Sequence, residues 1–276
     1  MSEPNNGKTD ENEYVYDLGF PPKEIKLSKD YKLYQKSMGY RIVNKFMVFL
    51  GTVFAFFPKT FVWGFRLRGK QNRKNIRSCV MVSNHVHPLD LLIIHSSMGL
   101  RHFYVTVLQS NLGLGLLTFL IRIGGGVPIP TDKKIFARFN RETKEMINKG
   151  NIILFYAEAS LLPYCDHIRT LSPGAFHFAA STTGKIVPTV ITFHKPKGFY
   201  KIVRKNKPCI QYHILEPYYI KDMGHRRETV EKARADVQKI MSDYFIRYSD
   251  YYYDENGKRN GNPMPHNRFI KHKSML

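Results

Sequence analysis

At residues 79–94 the chain passes from a buried strand through a polar corner into a helix, and that passage limits the folds open to it. Cys79-Val80-Met81-Val82 is a short apolar run suited to the middle of a sheet. Ser83-Asn84-His85-Val86-His87-Pro88-Leu89-Asp90 follows, and Leu91-Leu92-Ile93-Ile94 reads as the first apolar turns of a helix. Residues five apart in an ideal helix point about 140° away from each other, so His85 and Asp90 meet only if the chain turns between them. Pro88 supplies that turn, because it disfavours a helical conformation at His87 and suits the first position of a new helix. The product is an imidazole on a loop beside a carboxylate in a first helical turn, the geometry of an oriented general base. A plainer reading makes His85 a polar loop residue and Asp90 a helix-start acid favoured by the macrodipole. Metal binding by the His85-x-His87 pair is disfavoured. An H-x-H-x-D-H site needs an acid at position 89 and a histidine at 90, where this chain has Leu89 and Asp90, and Cys79, Cys165 and Cys209 lack zinc-like spacing.

From residue 79 onward, apolar strands alternate with helical patterns. Strands are predicted at 79–82, 102–107, 126–129, 152–156, 185–193 and 208–214, with helices at 89–98, 112–123, 133–149 and 173–182 between them. A later helix over 226–248 aligns Val230, Ala233, Val237, Met241, Tyr244 and Phe245 in one stripe. This alternation predicts an α/β fold, a mixed central sheet covered by helices. The expected organisation is a disordered N-terminus over 1–20, N-terminal helices over 21–66, a main domain over 67–250 and a loosely held polar tail over 251–276. Residues 24–38 read as a charged helical lead-in.

Charge and apolar patterning then narrow the partners. Lys and Arg total 43 against 22 acids, a formal charge of +21, which calls for an anionic partner such as an acidic lipid surface or a phosphorylated substrate. No nucleic-acid motif or stacking platform stands in basic context, so nucleic acid is not expected as a partner. Phe46 to Phe57 reads FMVFLGTVFAFF without a charge, Pro58-Lys59 interrupts, and Phe61-Val62-Trp63-Gly64-Phe65 follows. Twelve residues fall short of the roughly 20 that span a bilayer. Lys45, Lys59, Arg66 and Arg68 flank the segment and Trp63 ends it, as interfacial anchors do. The pattern predicts a helix pair lying in a membrane face, with a buried core helix as its alternative. The acidic, polar start MSEPNNGKTDENE is unlike a signal peptide, and three scattered cysteines suit a reducing compartment. Together these give a membrane-associated protein, monotopic or peripheral, on a cytoplasmic face.

A second corner repeats the first. Ile153-Leu154-Phe155-Tyr156-Ala157-Glu158-Ala159-Ser160 runs a buried strand into polar residues, with Glu158 where ligand groups gather in open α/β sheets. Ser172-Pro173-Gly174-Ala175-Phe176 opens a helix with a close-packing glycine, and Ile186-Val187-Pro188-Thr189-Val190-Ile191 is a strand whose proline suggests a bulge or an edge.

In this order the blocks resemble the glycerolipid acyltransferase family, which includes the 1-acylglycerol-3-phosphate acyltransferases. Asn84, His85 and Asp90 match its N-H-x-x-x-x-D motif, Phe155 and Glu158 its strand-P-E-G motif, and Gly174 to Phe176 and Val187-Pro188 its later blocks. The resemblance spans about residues 65–220. Two family arginines are absent: Gly125 to Thr131 reads GGVPIPT, and Glu158 is followed by Ala159-Ser160-Leu161, as in a divergent bacterial-type subgroup. The resemblance implies transfer of a fatty acyl group from acyl-CoA or acyl-carrier protein to the hydroxyl of a lysophosphatidic-acid-like glycerolipid, in phospholipid biosynthesis and without further cofactor. It assigns catalysis to His85 and Asp90 and acceptor binding to Glu158, Ser160 and Gly174. Lys133, Lys134 and Arg169 are the nearest cations to stand in for the missing arginines. A weak or inactive lipid-binding member of the fold, or an enzyme for another acceptor, is the alternative reading.

Overall fold

The computed structural model describes residues 25–265 apart from Leu100, His102 and Asn206, together with the short strands β1 (Tyr14–Tyr16) and Ile270–His272, which pair antiparallel in a separate ribbon. The predicted N-terminal disorder otherwise falls outside the described residues. Residues 25–37 are not helical, so the expected helical lead-in is corrected to an extended, turning segment. It is held to the domain by side chains: Arg122 donates to the Lys32 and Leu33 carbonyls, and the Tyr34 hydroxyl bonds Thr143 at 2.7 Å.

α1 (Met38–Phe57) begins at Ser37, whose hydroxyl accepts from the Tyr40 amide. The helix does not break at Pro58 but continues through a π-helical turn, Pro58–Val62. The expected helix pair is therefore one continuous 25-residue helix, long and apolar enough to cross a membrane. One face of it seats on the domain. Asn44 is buried and donates to the Ile123 carbonyl, and the Tyr40 hydroxyl donates to the Arg122 carbonyl at 2.8 Å. Phe46, Phe49, Phe54 and Phe57 lie exposed. Trp63, expected as an interfacial anchor, is half-buried and sets its edge on His87 instead.

The main domain runs β2 (Arg66–Arg68), β3 (Cys79–Ser83), α2 (Asp90–Met98), β4 (Tyr104–Leu108), α3 (Leu116–Ile123), β5 (Gly126–Ile129), α4 (Lys133–Asn148), β6 (Ile152–Tyr156), α5 (Gly174–Ala180), β7 (Lys185–His194), α6 (Phe199–Arg204), β8 (Cys209–Ile214), β9 (Tyr218–Tyr219) and α7 (Arg226–Tyr248). The helix expected over 112–123 divides at Gly115, which has φ +56, into a 3₁₀ turn (Gln109–Gly113) and α3. The strands order β2-β8-β7-β3-β6-β4-β5, with β9 also on β7. Neighbours from β7 to β5 are parallel, while β7 meets β8 antiparallel. This is the predicted mixed sheet. Crossovers β3-α2-β4 and β5-α4-β6 advance in opposite directions along it, and their common right-handedness puts α2 and α4 on opposite faces. Pro188, expected at an edge or bulge, instead lies inside the sheet opposite Val82. It falls at the seam where the other partner of β7 changes from β8, at Thr189, to β9, at Ile186, so a missing N–H is tolerated there. The tail is better held than expected: Tyr252 is fully buried and donates to the Tyr164 carbonyl at 2.7 Å.

β3 and β6 lie side by side, with Ser83 opposite Tyr156, so both polar corners emerge together at the C-terminal edge of the sheet.

Candidate active site

Every residue of β3 is buried, and the corner it delivers is knit by its own backbone. Asn84 clamps the exit. Its side-chain amide donates to the Ile191 carbonyl at 3.0 Å, and its oxygen accepts from the Ile191 amide at 2.8 Å. Asp90 then opens α2 and folds its carboxylate back over the loop. Oδ2 accepts the Val86 and His87 amides at 2.8 and 3.0 Å and His85 Nδ1–H at 2.9 Å. Two amide donors and the first turn of a helix fix the carboxylate in place. With Nδ1 donating, the lone pair of His85 sits on Nε2. The Asp90 side chain is fully buried whereas His85 is 25% exposed, so the imidazole can meet a substrate and the acid cannot. Tyr156 stacks on the His85 ring, centroids 4.0 Å apart and planes 18° from parallel. Its phenol is pushed well above the usual range, first by burial and then by the Asp90 charge.

The β6 corner is built differently. Glu158 is fully buried; Oε1 accepts the Arg169 amide at 3.1 Å, and Oε2 accepts the His85 amide at 3.1 Å and Arg169 Nη2–H at 3.0 Å. Burial pushes this carboxyl upward against the pull of Arg169 and the amides. Arg169 also donates from Nη1 to the Ser160 hydroxyl at 2.8 Å and from Nη2 to the Ser160 carbonyl. Glu158, Ser160 and Arg169 thus come together as expected, but bonded to one another beneath the surface. The expectation that Arg169 grips a phosphate is corrected: its side chain is 1% exposed and committed to Glu158. Glu158 holds the backbone of His85.

The remaining expected contacts lie apart from this centre. Lys133 and Lys134 are exposed in the first turn of α4, after β5, three strands from β3, which is roughly 14 Å across the sheet. Gly174 is exposed and an added Cβ there meets nothing within 4 Å, so it is not the close-packing glycine anticipated. The amides of His85, Val86 and His87, natural donors to an oxyanion, are already bonded to Glu158 and Asp90. Sequence reasoning missed Tyr156. Strand alternation offered the clue, since Phe155 faces the opposite side of the sheet, where it stacks on Phe178 of α5. It also missed His87 as a packed wall. Burial, more than its charged neighbours, lowers the pKa of His87, and its Nδ1 accepts the Leu89 amide at 3.2 Å. Among the described residues, Cys165, Asp166 and His167 bring ligand atoms within 4.8 Å of one another. Asp166 already accepts from His167 Nδ1–H at 2.7 Å and pairs with Arg259, which leaves the cluster internally satisfied.

Both the sequence and the fold of this chain have counterparts among known proteins. An uncharacterized acyltransferase of Schizosaccharomyces pombe is 25% identical over 198 residues, covering 68% of this chain and 67% of that protein. The crystal structure of the 1-acyl-sn-glycerophosphate acyltransferase PlsC of Thermotoga maritima superposes with a TM-score of 0.50 at 18% identity, covering 74% of this chain and 81% of that one, a likeness of fold. The acyltransferase family model matches residues 64–192, a span that contains both corners. Residues 64–192, the span that holds the β3 and β6 corners, are therefore similar to the acyltransferase family, and the fold is like that of the 1-acyl-sn-glycerophosphate acyltransferase.

Proposed function

We propose that this acyltransferase moves a fatty acyl group from a thioester donor, acyl-CoA or acyl-carrier protein, to the hydroxyl of a lysophosphatidic-acid-like glycerolipid, as a step of phospholipid assembly. The observation that carries the reading is the His85 Nδ1–Asp90 Oδ2 contact of 2.9 Å on a partly exposed imidazole. The acceptor hydroxyl attacks the thioester carbonyl while His85 Nε2 takes its proton. The thiolate leaves, and the proton passes from the imidazolium to it or to solvent. Asp90 fixes the tautomer and stabilises the imidazolium, as the aspartate does in a serine-hydrolase triad but without a covalent enzyme intermediate. The reaction needs no resident cofactor. Incubation with a panel of acceptors and both donor types, followed by mass spectrometry of the products, tests the reading: lysophosphatidic acid converted to phosphatidic acid supports it, and no acylated product sinks it. The inward commitment of Arg169 favours a second acceptor class, a hydroxyl lipid without phosphate, which the same panel separates.

The exposed aromatic face of α1 supports membrane docking beside this site. Phe54 is 78% exposed, and Phe57 and Phe46 follow it on an apolar surface of the kind that marks lipid contact. The Asn44 and Tyr40 bonds to α3 favour a helix lying along the domain. Replacing Phe49 and Phe54 by Asp should release the protein from anionic vesicles at least tenfold in a sedimentation assay, since each buried Phe contributes about 1.5–3 kcal/mol. Unchanged sedimentation removes α1 from the docking surface.

A further inference from the structure

Two neighbouring hollows meet at the α6–β8 connection, and the first of them is also bordered by the end of α1 and the β3 corner. One, about 580 Å³, is walled by Trp63, His87 and Tyr164 and rimmed by Arg204, Lys205 and Lys207. The other, about 700 Å³, shares Lys205 and Lys207 and extends toward Tyr251. No carboxylate lines either hollow among the described residues.

The cationic rim is built rather than incidental. Arg204 is buried; its Nε–H and Nη2–H donate to the Pro208 carbonyl at 2.9 and 2.6 Å, and Nη2–H also reaches the Tyr164 hydroxyl at 3.4 Å. The Lys207 amide returns a bond to the Arg204 carbonyl at 2.9 Å. These contacts close a tight turn that leaves Lys205 and Lys207 exposed side by side at the mouth. Lys205 is held at φ +50, a conformation that a residue with a side chain rarely adopts and that persists where its surroundings enforce it. Arg204 and Lys207 are close enough for their charges to depress the pKa of His87, after burial itself. His87 stands two residues from His85, so the hollow opens at the reactive corner.

We propose that this cleft receives the phosphorylated arm of the acyl donor, a nucleotide thioester of the coenzyme A kind, with Lys205 and Lys207 as its phosphate contacts. The inference rests on the acyl-transfer reading and names the donor side of it. Distance decides between donor and acceptor. Ser83 lies opposite Thr189 of β7, and Cys209, just past the two lysines, lies opposite His194. Five residues at about 3.3 Å each put Cys209 roughly 16 Å beyond the base of the corner along the strand direction, with the two lysines just ahead of it in the chain. The phosphate of a lysophosphatidic acid sits on the carbon next to the one that bears the attacking hydroxyl, too close to His85 to reach that rim. The phosphates of a nucleotide thioester lie at the far end of a pantetheine arm, which can run along the Trp63–His87 wall.

Calorimetric binding to the full chain tests this without turnover. Wild type is expected to bind free coenzyme A at least tenfold tighter than phosphate-free pantetheine, and Lys205→Gln/Lys207→Gln to weaken coenzyme A tenfold or more while shifting pantetheine and a short-chain lysophosphatidic acid less than twofold. Lys232→Gln/Lys239→Gln on α7 removes the same charge elsewhere and should shift coenzyme A less than threefold. Undiminished coenzyme A binding in the Lys205/Lys207 variant, an equal loss in the α7 variant, or a loss confined to lysophosphatidic acid overturns the proposal. Coenzyme A binding that depends on the two lysines, in a protein that acylates no acceptor, leaves this site standing and removes the acyl-transfer reading alone.

Discussion

β3 and β6 run side by side and end alike, each buried strand turning into a polar corner that carries a carboxylate, yet the two carboxylates hold different things. Asp90 is tied to backbone at two points and spends its third bond on a side chain that solvent can reach. Glu158 spends every bond inward, on a guanidinium and two amides, and no part of it is exposed. Hydrogen bonds from neutral amides hold an acid in place and leave its charge acting on the imidazole. A buried cation neutralises the charge and turns the acid into a rivet. Position at a strand end is shared, so the identity of the partner decides which acid orients a base and which one holds the loop that carries it.

The comparison predicts separate failures. His85→Ala should lower kcat by about 10²–10⁴-fold with the melting temperature nearly unchanged, because the partly exposed ring contributes to the reaction rather than to the core. Asp90→Asn keeps an oxygen in reach of the amides but removes the charge on the imidazole, and should cost at least about 10² in kcat. Glu158→Gln should fail the other way. It strands the buried Arg169 charge and should cost about 3–5 kcal/mol of stability in a denaturant titration, with Arg169→Met on the same chain recovering part of it. A Glu158→Gln protein that is as stable as wild type but inactive would erase the distinction.

Acid sensitivity sharpens it further, because it should arise away from both corners. Burial holds the pKa of His95 at about 4, where its Nε2–H donates to the Gly124 carbonyl at 2.8 Å. An unfolded histidine titrates near 6.5, so the folded state binds fewer protons in between. Stability is then complete above about pH 6.5 and is lost as pH falls toward 4, by about 3 kcal/mol from this residue. Unfolding midpoints measured from pH 7 to 4 should show that loss, and His95→Gln should flatten it. A slope unchanged by His95→Gln transfers the effect to other groups, such as buried His213, whose pKa is held at about 3 by burial, then by His194 and Arg68.

What could be read in the sequence follows from how local each arrangement is. His85 and Asp90 are five residues apart with a proline between them, so their meeting follows from turn chemistry alone. The α/β class with a mixed sheet needed only the alternation of apolar runs with helical patterns. Arg169 lies eleven residues beyond Glu158 across an irregular loop, where neither period fixes direction, and it read as a free cation until packing showed it tied down. α1 read as two pieces because proline usually ends a helix. Here Pro58 instead opens a π-helical turn that carries the helix on to Val62. Trp63 meets His87, and Lys207 nears it, through sheet pairing between segments more than 100 residues apart, which no local pattern encodes.

The finest test concerns the ring that lies on His85. Tyr156 offers two separable things: a flat apolar surface 4.0 Å from the imidazole, and a buried hydroxyl that feels the Asp90 charge. Stacked pairs of this kind contribute about 0.5–1.5 kcal/mol beyond their buried area, enough to keep an imidazole from rotating off its acid. Tyr156→Leu should therefore lower kcat about tenfold while KM for either substrate moves less than twofold, and Tyr156→Phe should restore wild-type turnover. The hydroxyl makes no hydrogen bond among the described residues, so its removal should leave stability unchanged or raise it by about 1 kcal/mol. If Phe behaves as Leu does, the phenol and not the ring supports the corner. Asp90 would then orient His85 together with a second polar group drawn from β6, and the division of labour between the two strands would be less complete than their carboxylates suggest.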